Sequence, residues 1–304
     1  MADSMKGVFN ILATPFDQKN HIDIDSLRGL IEFQIDKGVH GLTILGVLGE
    51  AAKLSVEERT LVMQTVIETV AGRIPVVVGT SHQETPTCIA LSQDAFADGA
   101  AGVMIAPPIF DKPSDAAVLE FYEEVADAID KPIVIQDFPP VTNVIMSPDV
   151  LVQIAEHIPN ARYLKLEDPP LMQKISAIQE QTDRYVIFGG SGGMFFIEEL
   201  ERGAGGTMTG FAFSEILVAI YHAFADGRHV EARTIFDRYL PLIRFESQPE
   251  INLTIRKEIL CRRGAIAHAA PRQPFAPIDE ATREEIGRMF QRVGIADPTA
   301  TVKL

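Results

Sequence analysis

Short apolar runs alternate with longer amphipathic segments along this chain. The short runs are rich in valine and isoleucine, and there are eight of them: Val8–Leu12, Leu42–Leu45, Val76–Val78, Val103–Ile105, Ile133–Ile135, Tyr163–Leu166, Tyr185–Phe188 and Gly206–Met208. Continuous apolar runs of this length are typical of parallel strands that are buried on both faces. The pattern therefore predicts eight buried strands.

The segments between these runs carry the start and stop signals of helices. Ser55-Val56-Glu57-Glu58 has the spacing of a capping box. Three dipeptides place a capping residue before a proline at the first helical position: Thr85-Pro86, Ser147-Pro148 and Asp168-Pro169. Five glycines stand where a helix would end in a left-handed residue: Gly38, Gly72, Gly99, Gly203 and Gly227.

Strands that alternate with helices in eight βα units predict a (β/α)8 barrel. A doubly wound open sheet is the alternative, but Gly189–Gly193 does not have the spacing of a dinucleotide-binding loop. Further helical segments follow the last strand: Ser214–Asp226, Val230–Phe245, Ile251–Arg263 and Glu280–Val293. We therefore expect a barrel over residues 1–228 and a C-terminal helical extension over residues 229–304.

Composition narrows the class of protein. The 304 residues fit a single α/β barrel, and the net charge of -15 argues against nucleic-acid and membrane partners while still permitting an anionic small substrate. Two cysteines, Cys88 and Cys261, provide neither a disulfide framework nor a metal site. The amino terminus lacks the apolar core of a signal peptide, and no apolar stretch could span a bilayer. The expected location is the cytoplasm.

Barrel enzymes place their active sites at the carboxyl ends of the strands. That rule selects a set of residues that follow the predicted strands: Thr14, Gly46, Val47, Leu48, Gly49, Glu50, Thr80, Ser81, His82, Gln136, Asp137, Lys165, Glu167, Gly189, Gly190, Ser191, Thr209 and Gly210.

Lys165 has the most informative position in this set. It lies in the apolar strand Tyr163–Leu166, where a buried ammonium is costly. A lysine that burial deprives of its proton is a nucleophile for carbonyl groups. A lysine that snorkels to solvent is the alternative, but the end of a barrel strand favours the nucleophile. Glu167 lies two residues on, so both side chains can face the barrel interior.

The companions of Lys165 also have structural interpretations. Glu50 would be a solvated carboxylate in a tight turn, His82 a hydrogen-bonded loop histidine, and Asp137 the cap of a turn before Pro139. Glu167 would only pair with Lys165. Two histidines and a carboxylate at metal spacing are not found, so we expect neither a metal nor another cofactor.

The motifs together resemble the dihydrodipicolinate synthase / N-acetylneuraminate lyase superfamily of class I aldolases and dehydratases. The matching stretches extend over essentially the whole chain: Thr14-Pro15-Phe16, the Gly46–Glu50 loop, Pro132–Ile135, Lys165 and Gly205–Gly210. The resemblance implies that Lys165 forms a Schiff base with the keto group of a 2-oxo acid. It also implies a homo-oligomer, a tetramer or a dimer, with C-terminal helices at the contacts.

The departures from that family are equally informative. The family usually has Tyr-Asn-x-Pro after the fifth strand, and its tyrosine moves protons, whereas this chain has Gln136-Asp137-Phe138-Pro139. A carboxamide is a poor proton carrier. Val47 and Leu48 replace two hydroxyl residues of the family loop, and Val141 stands where the synthase carries an arginine. These changes argue against a true dihydrodipicolinate synthase.

Three stretches look like the branch that contains 2-keto-3-deoxy-L-arabonate dehydratase: Ile135–Pro139, Lys165–Glu167 and Tyr239–Ile243. The resemblance therefore implies dehydration of a 2-keto-3-deoxy sugar acid. Lys165 would be the nucleophile, Glu167 the proton carrier, and Gln136 would orient the substrate or a water molecule.

The remaining candidates would bind the substrate. Backbone N–H groups of Gly46–Glu50, with Thr14 or Ser191, would hold the carboxylate, and Asp137 and Thr209 complete the candidate set. Two alternatives stay open: a pyruvate-dependent aldolase with a different proton relay, and a barrel that binds an oxo acid without catalysis. His82, Phe245, Glu246 and Arg256 receive no role.

Overall fold

Eight parallel strands close into a barrel in the computed structural model, which describes residues 5–302. Each strand pairs with the next, and the last pairs with the first. Their bounds are β1 Gly7–Ile11, β2 Gly41–Ile44, β3 Val76–Gly79, β4 Gly102–Ile105, β5 Ile133–Asp137, β6 Tyr163–Leu166, β7 Val186–Gly189 and β8 Gly206–Thr209. The predicted (β/α)8 barrel is confirmed. The largest difference is in β5, which continues through Gln136 and Asp137.

Helices connect the strands around the outside of the barrel. Their bounds are α1 Ile24–Asp36, α2 Val56–Val70, α3 Thr85–Asp98, α4 Asp115–Ala128, α5 Pro139–Thr142, α6 Pro148–His157, α7 Leu171–Gln179, α8 Phe196–Glu201, α9 Ser214–Ala225, α10 His229–Glu246, α11 Asn252–Arg262 and α12 Glu280–Val293. All five glycines predicted at helix ends have a positive φ.

The predicted caps are correct in two cases and wrong in two. Ser55 and Glu58 form the full capping box of α2, and Ser147 caps α6. Thr85 is itself the first residue of α3 rather than its cap. Asp168 does not cap α7, which begins only after Pro169 and Pro170. Those two prolines have no N–H for a cap to bind, and the Asp168 carboxylate pairs with a lysine instead.

Alternation along the strands divides the core into two layers. Inside the barrel lie Phe9, Ile11, Val77, Met104, Val134, Tyr163, Phe188 and Met208. On β6, Leu164 and Leu166 belong to the outer layer between sheet and helices, whereas Tyr163 faces inward. Because side chains alternate between the two faces of a strand, Lys165 shares the inward face with Tyr163.

The last helices lie against the barrel and against one another. α9 contacts β1, and α10 contacts α9, α11 and α12. α10 begins at His229, but the proposed division of the chain at 228/229 stays a prediction. Among residues 5–302, no helix is both long and apolar enough to cross a membrane.

Candidate active site

Lys165 is a buried amine at the carboxyl end of β6. Its side chain is 5% exposed, and its register partners are Gln136 on β5 and Phe188 on β7. The amine nitrogen lies 2.5 Å from Oε2 of Glu167 and 5.9 Å from the centre of the Phe138 ring. The structure thus brings Lys165, Glu167 and Gln136 together, as expected, and adds an aromatic ring.

Glu167 is fixed by backbone on both sides. Its own N–H donates to the Asp137 carbonyl at 3.0 Å, and the Ser191 N–H donates to its Oε1 at 3.0 Å. A Cβ at Gly190 would collide with this carboxyl group. The glycine-rich stretch after β7 therefore makes room for Glu167, a function that its spacing alone did not indicate.

Asp137 faces away from Lys165. Gln136 and Lys165 are adjacent on the inner face, so Asp137 lies on the outer face, where its Oδ2 is 2.6 Å from Nζ of Lys174 on α7. The same amine lies 2.7 Å from Asp168. Burial raises the pKa of the Asp137 carboxyl to about 6, although the charge of Lys174 opposes this shift. Asp137 is thus a buried group behind the barrel wall rather than part of its mouth.

Thr209 also lies on the outer face. Its neighbour Met208 belongs to the barrel interior, and its register partner Asn10 donates to the Ser214 hydroxyl on α9 at 2.9 Å. The structure therefore does not bring Thr209 to Lys165, and substrate contact through its side chain stays an untested prediction.

The loop after β2 forms a turn of 3-10 helix over Val47–Gly49. Leu48 packs against the barrel interior, whereas Val47 is exposed. Gly46 approaches Met104 so closely that a Cβ would be 3.4 Å from the Met104 methyl carbon. Thr14 donates its hydroxyl to the Gly49 carbonyl at 2.7 Å, so its side chain supports the loop. The first N–H groups of a helical turn have no acceptor within that turn, which leaves those of Val47 and Leu48 for an anion.

Glu50 joins this loop to the C-terminal helices. Its carboxylate lies 2.5 Å from Nζ of Lys257 and 3.0 Å from Nζ of Lys53, and it accepts the Arg272 N–H at 2.9 Å. Lys257 is fully buried, with its amine 4.5 Å from the centre of the Phe16 ring. Burial lowers the pKa of Lys257 to about 8. Both oxygens of Glu50 are occupied, so its contribution is to hold the loop.

Two residues that had no assigned role, His82 and Glu246, form hydrogen bonds within the fold. His82 is exposed, and its Nδ1 accepts the Glu84 N–H at 3.0 Å. Glu246 is fully buried; its Oε1 lies 2.6 Å from Nε of Arg256, and its Oε2 accepts the Ala212 N–H at 3.0 Å. Within the described part of the chain, no group of three or more histidine, cysteine or acidic residues could hold a metal ion.

Sequence reasoning missed three residues around the site: Phe138 beside Lys165, and Lys174 and Glu199 behind the barrel wall. Phe138 follows a predicted strand and could have been placed at the mouth. Lys174 and Glu199 lie on helices, and only the structure shows that their side chains face the outside of the barrel wall. Their charges suggested that both side chains are exposed, since charged helix positions mostly face solvent.

Comparison with known proteins agrees with this geometry. The family model described as the dihydrodipicolinate synthetase family matches residues 4–293. This chain belongs to the dihydrodipicolinate synthetase family. Its match to that family covers the barrel and the C-terminal helices through α12.

Individual relatives within the dihydrodipicolinate synthetase family carry two kinds of name. The chain is 33% identical to L-2-keto-3-deoxyarabonate dehydratase of Azospirillum brasilense, over 95% of this chain and 94% of that protein. It is 30% identical to 4-hydroxy-tetrahydrodipicolinate synthase of Syntrophus aciditrophicus, over 95% and 99%. A solved structure of dihydrodipicolinate synthase from Rhodopseudomonas palustris is 36% identical, with a TM-score of 0.90 over 94% of this chain and 97% of that one. Both kinds of name denote lyases, and we place the chain among the lyases of this family.

Proposed function

We propose that this protein is a Schiff-base dehydratase that acts on a 2-keto-3-deoxy sugar acid. The observation that carries the proposal is the surroundings of the Lys165 amine: a carboxylate from Glu167, the ring of Phe138, and no tyrosine at the end of β5. Tyr163 does not replace that tyrosine, because its hydroxyl accepts the Met5 N–H at 3.3 Å, before the start of β1.

The proposed reaction begins with attack of the Lys165 amine on the C2 ketone. Loss of water from the resulting carbinolamine gives an iminium, whose positive nitrogen acidifies the C3 proton. Glu167 removes that proton, and an enamine forms. The enamine expels the C4 hydroxyl, which leaves as water with the proton that Glu167 returns. Hydrolysis of the new iminium frees Lys165 and releases the dehydrated oxo acid.

This route suits the residues around Lys165 better than carbon–carbon cleavage does. A retro-aldol step needs a base on the C4 hydroxyl, and neither Gln136 nor Phe138 provides one. A general base is typically worth about two to four orders of magnitude in rate. The dehydratase name of the Azospirillum brasilense relative supports the same choice. Aldol chemistry stays the second candidate, because the 36% identical solved structure is named a dihydrodipicolinate synthase.

The substrate carboxylate would bind at the loop after β2. We assign it to the N–H groups of Val47 and Leu48, on a turn that Thr14 and Glu50 hold from either side. The Ser191 N–H already donates to Glu167, so only its hydroxyl would reach the substrate. Asp137 and Thr209 take no part in this proposal. The expected homo-oligomer and cytoplasmic location stay predictions.

Borohydride trapping tests the proposal. The protein would be incubated with pyruvate and with a panel of 2-keto-3-deoxy acids, reduced, and analysed by peptide mapping. We expect an adduct on Lys165 and, from one sugar acid, a product lighter by one water. An adduct accompanied by release of pyruvate from the sugar acid would favour the aldolase. Absence of an adduct with every 2-oxo acid would overturn the Schiff-base mechanism.

A further inference from the structure

A second carboxyl group lies behind the part of the barrel wall that faces Glu167. Glu199 on α8 is fully buried. A Cβ at Gly189 would occupy the same space as its carboxyl group, so that group lies directly against the end of β7. Among residues 5–302, no partner makes a well-formed hydrogen bond with either oxygen, although the Gly190 N–H lies nearby.

Glu167 lies on the other face of the same stretch of backbone. A Cβ at Gly190 would meet the Glu167 carboxyl, just as one at Gly189 would meet that of Glu199. Two adjacent glycines therefore separate two carboxyl groups, and no side chain intervenes. In a buried part of the protein, two like charges this close are costly, and one group keeps its proton.

The contacts decide which of the two groups is neutral. Glu167 contacts the Lys165 amine and accepts the Ser191 N–H, whereas neither oxygen of Glu199 has a well-formed hydrogen bond among residues 5–302. Burial, and then the charges of Glu167 and Glu198, raise the pKa of the Glu199 carboxyl to about 8.

Two cations on the neighbouring helices have other partners. Lys174 on α7 contacts Asp137 and Asp168, and Arg233 on α10 contacts Glu201. Among residues 5–302, none of the charges that act appreciably on Glu199 is positive, and only the nearby Gly190 N–H offsets part of the cost of ionising it.

We propose that Glu199 is a positioning residue that stays protonated during turnover and thereby keeps the Glu167 carboxylate against Lys165 and Ser191. When Glu199 ionises, its charge repels Glu167 across the two glycines and weakens that contact. The inference rests on the proposed roles of Lys165 and Glu167. It makes the reactivity of Lys165 depend on a group that cannot touch the substrate.

The first test measures the coupling without any substrate. Melting temperatures of the wild type, Glu199→Gln and Glu167→Gln would be followed from pH 5 to 9.5, with the exposed neighbour Glu198→Gln as the matched control. Because the pKa of Glu199 is raised in the folded protein, its stabilising contribution is lost as pH rises from its unfolded value towards about 8. The melting temperature of the wild type should fall over this range relative to that of Glu199→Gln.

The wild type and Glu167→Gln both retain Glu199, so their comparison stays informative even if Glu199→Gln fails to fold. Removing the like charge should move the Glu199 transition to lower pH in Glu167→Gln. Glu198→Gln should move it in the same direction but by less, because the charge of Glu198 acts more weakly on Glu199 than that of Glu167. An unchanged transition in Glu167→Gln would overturn the inference.

The second test measures the rate at which pyruvate and borohydride label Lys165 over the same pH range. The rate in the wild type, divided by that in Glu199→Gln, should fall several-fold as pH passes about 8. A constant ratio would overturn the positioning role. Absence of labelling in every variant would overturn the proposed function instead, and the melting curves would still decide whether Glu167 and Glu199 are coupled.

Discussion

Two buried lysines lie on opposite sides of the same piece of barrel wall. The side chains of Lys165 and Lys174 are 5% and 6% exposed. Lys165 projects from β6 into the barrel, where one carboxylate and one aromatic ring are near its amine. Lys174 approaches from α7 on the outside, and its amine lies between two aspartates. Burial alone therefore does not distinguish the proposed nucleophile from the other lysine. The two differ in the face of the sheet on which they lie and in the number of carboxylates that contact them.

Lys174 also holds the strand ends on which the neighbours of Lys165 lie. Its two partners, Asp137 and Asp168, directly follow Gln136 and Glu167 along the chain. Lys174 thus joins the ends of β5 and β6 from behind, while their inward residues surround Lys165. The surroundings of the two lysines differ in chemistry but share the ends of β5 and β6. A substitution at Lys174 should therefore affect Lys165 by shifting these strand ends, because Lys174 itself does not contact the substrate.

Replacing Lys165 should have the largest effect on chemistry. Lys165→Ala removes the amine that lies beside Glu167, so we expect labelling by a 2-oxo acid and borohydride to fall below detection and the fold to persist. Lys174→Met is the matched control and should still be labelled at Lys165. Equal labelling of Lys165→Ala and the wild type would show that Lys165 is not the lysine that forms the Schiff base.

Replacing Lys174 should have the largest effect on stability. Lys174→Met leaves two buried carboxylates without their shared cation, and breaking a buried ion pair in this way typically costs about 3–5 kcal/mol. Urea unfolding followed by circular dichroism would measure the loss. Arg233→Met breaks an exposed pair with Glu201 and should cost less than about 1 kcal/mol. Similar losses in the two variants would contradict a special role for the outer lysine.

Asp137 should make the outer region sensitive to pH. Burial raises its pKa in the folded protein to about 6, above its ordinary value near 3.9, so the folded state holds a proton that the unfolded state has released. Its stabilising contribution is complete below about pH 4 and is lost as pH rises through about 6.

Asp137→Asn lacks this titration. Between pH 4 and 6 the unfolding free energy of the wild type should therefore fall relative to that of the variant, as measured by urea unfolding at each pH. Parallel curves for the two proteins would rule out this titration.

The fold was accessible from the sequence because its signals are local. Apolar runs locate all eight strands to within two residues at either end, and the Ser55 capping box marks the start of α2. Asp168 shows where local reasoning fails: its place before Pro169 suggested a cap, but α7 begins only at Leu171, and the carboxylate pairs with the buried amine of Lys174. A contact between a loop and the next helix is not visible in a pattern of periodicities.

The candidate site could be predicted from the sequence for those residues to which strand alternation applies. Lys165 and Glu167 share a face because they are two residues apart, and Gln136 joins them by register. The same rule excludes Asp137 and Thr209 from that face once the ends of β5 and β8 are known. Those ends could not be fixed beforehand, because polar residues after an apolar run are equally typical of strand and loop.

A substitution at Gly190 would show how strongly the reactivity of Lys165 depends on the position of Glu167. A methyl group there would collide with the Glu167 carboxyl, so Gly190→Ala should displace Glu167 from its place beside Lys165. We expect the rate of borohydride labelling at Lys165 to fall about tenfold, equivalent to ~1.4 kcal/mol, with a smaller change in stability. Gly287→Ala on α12 is the control, because a Cβ there meets no other atom within 4 Å. A normal labelling rate in Gly190→Ala would mean that the position of Glu167 beside Lys165 does not limit the reaction. The contacts of Lys174 with Asp137 and Asp168 would then matter for stability alone.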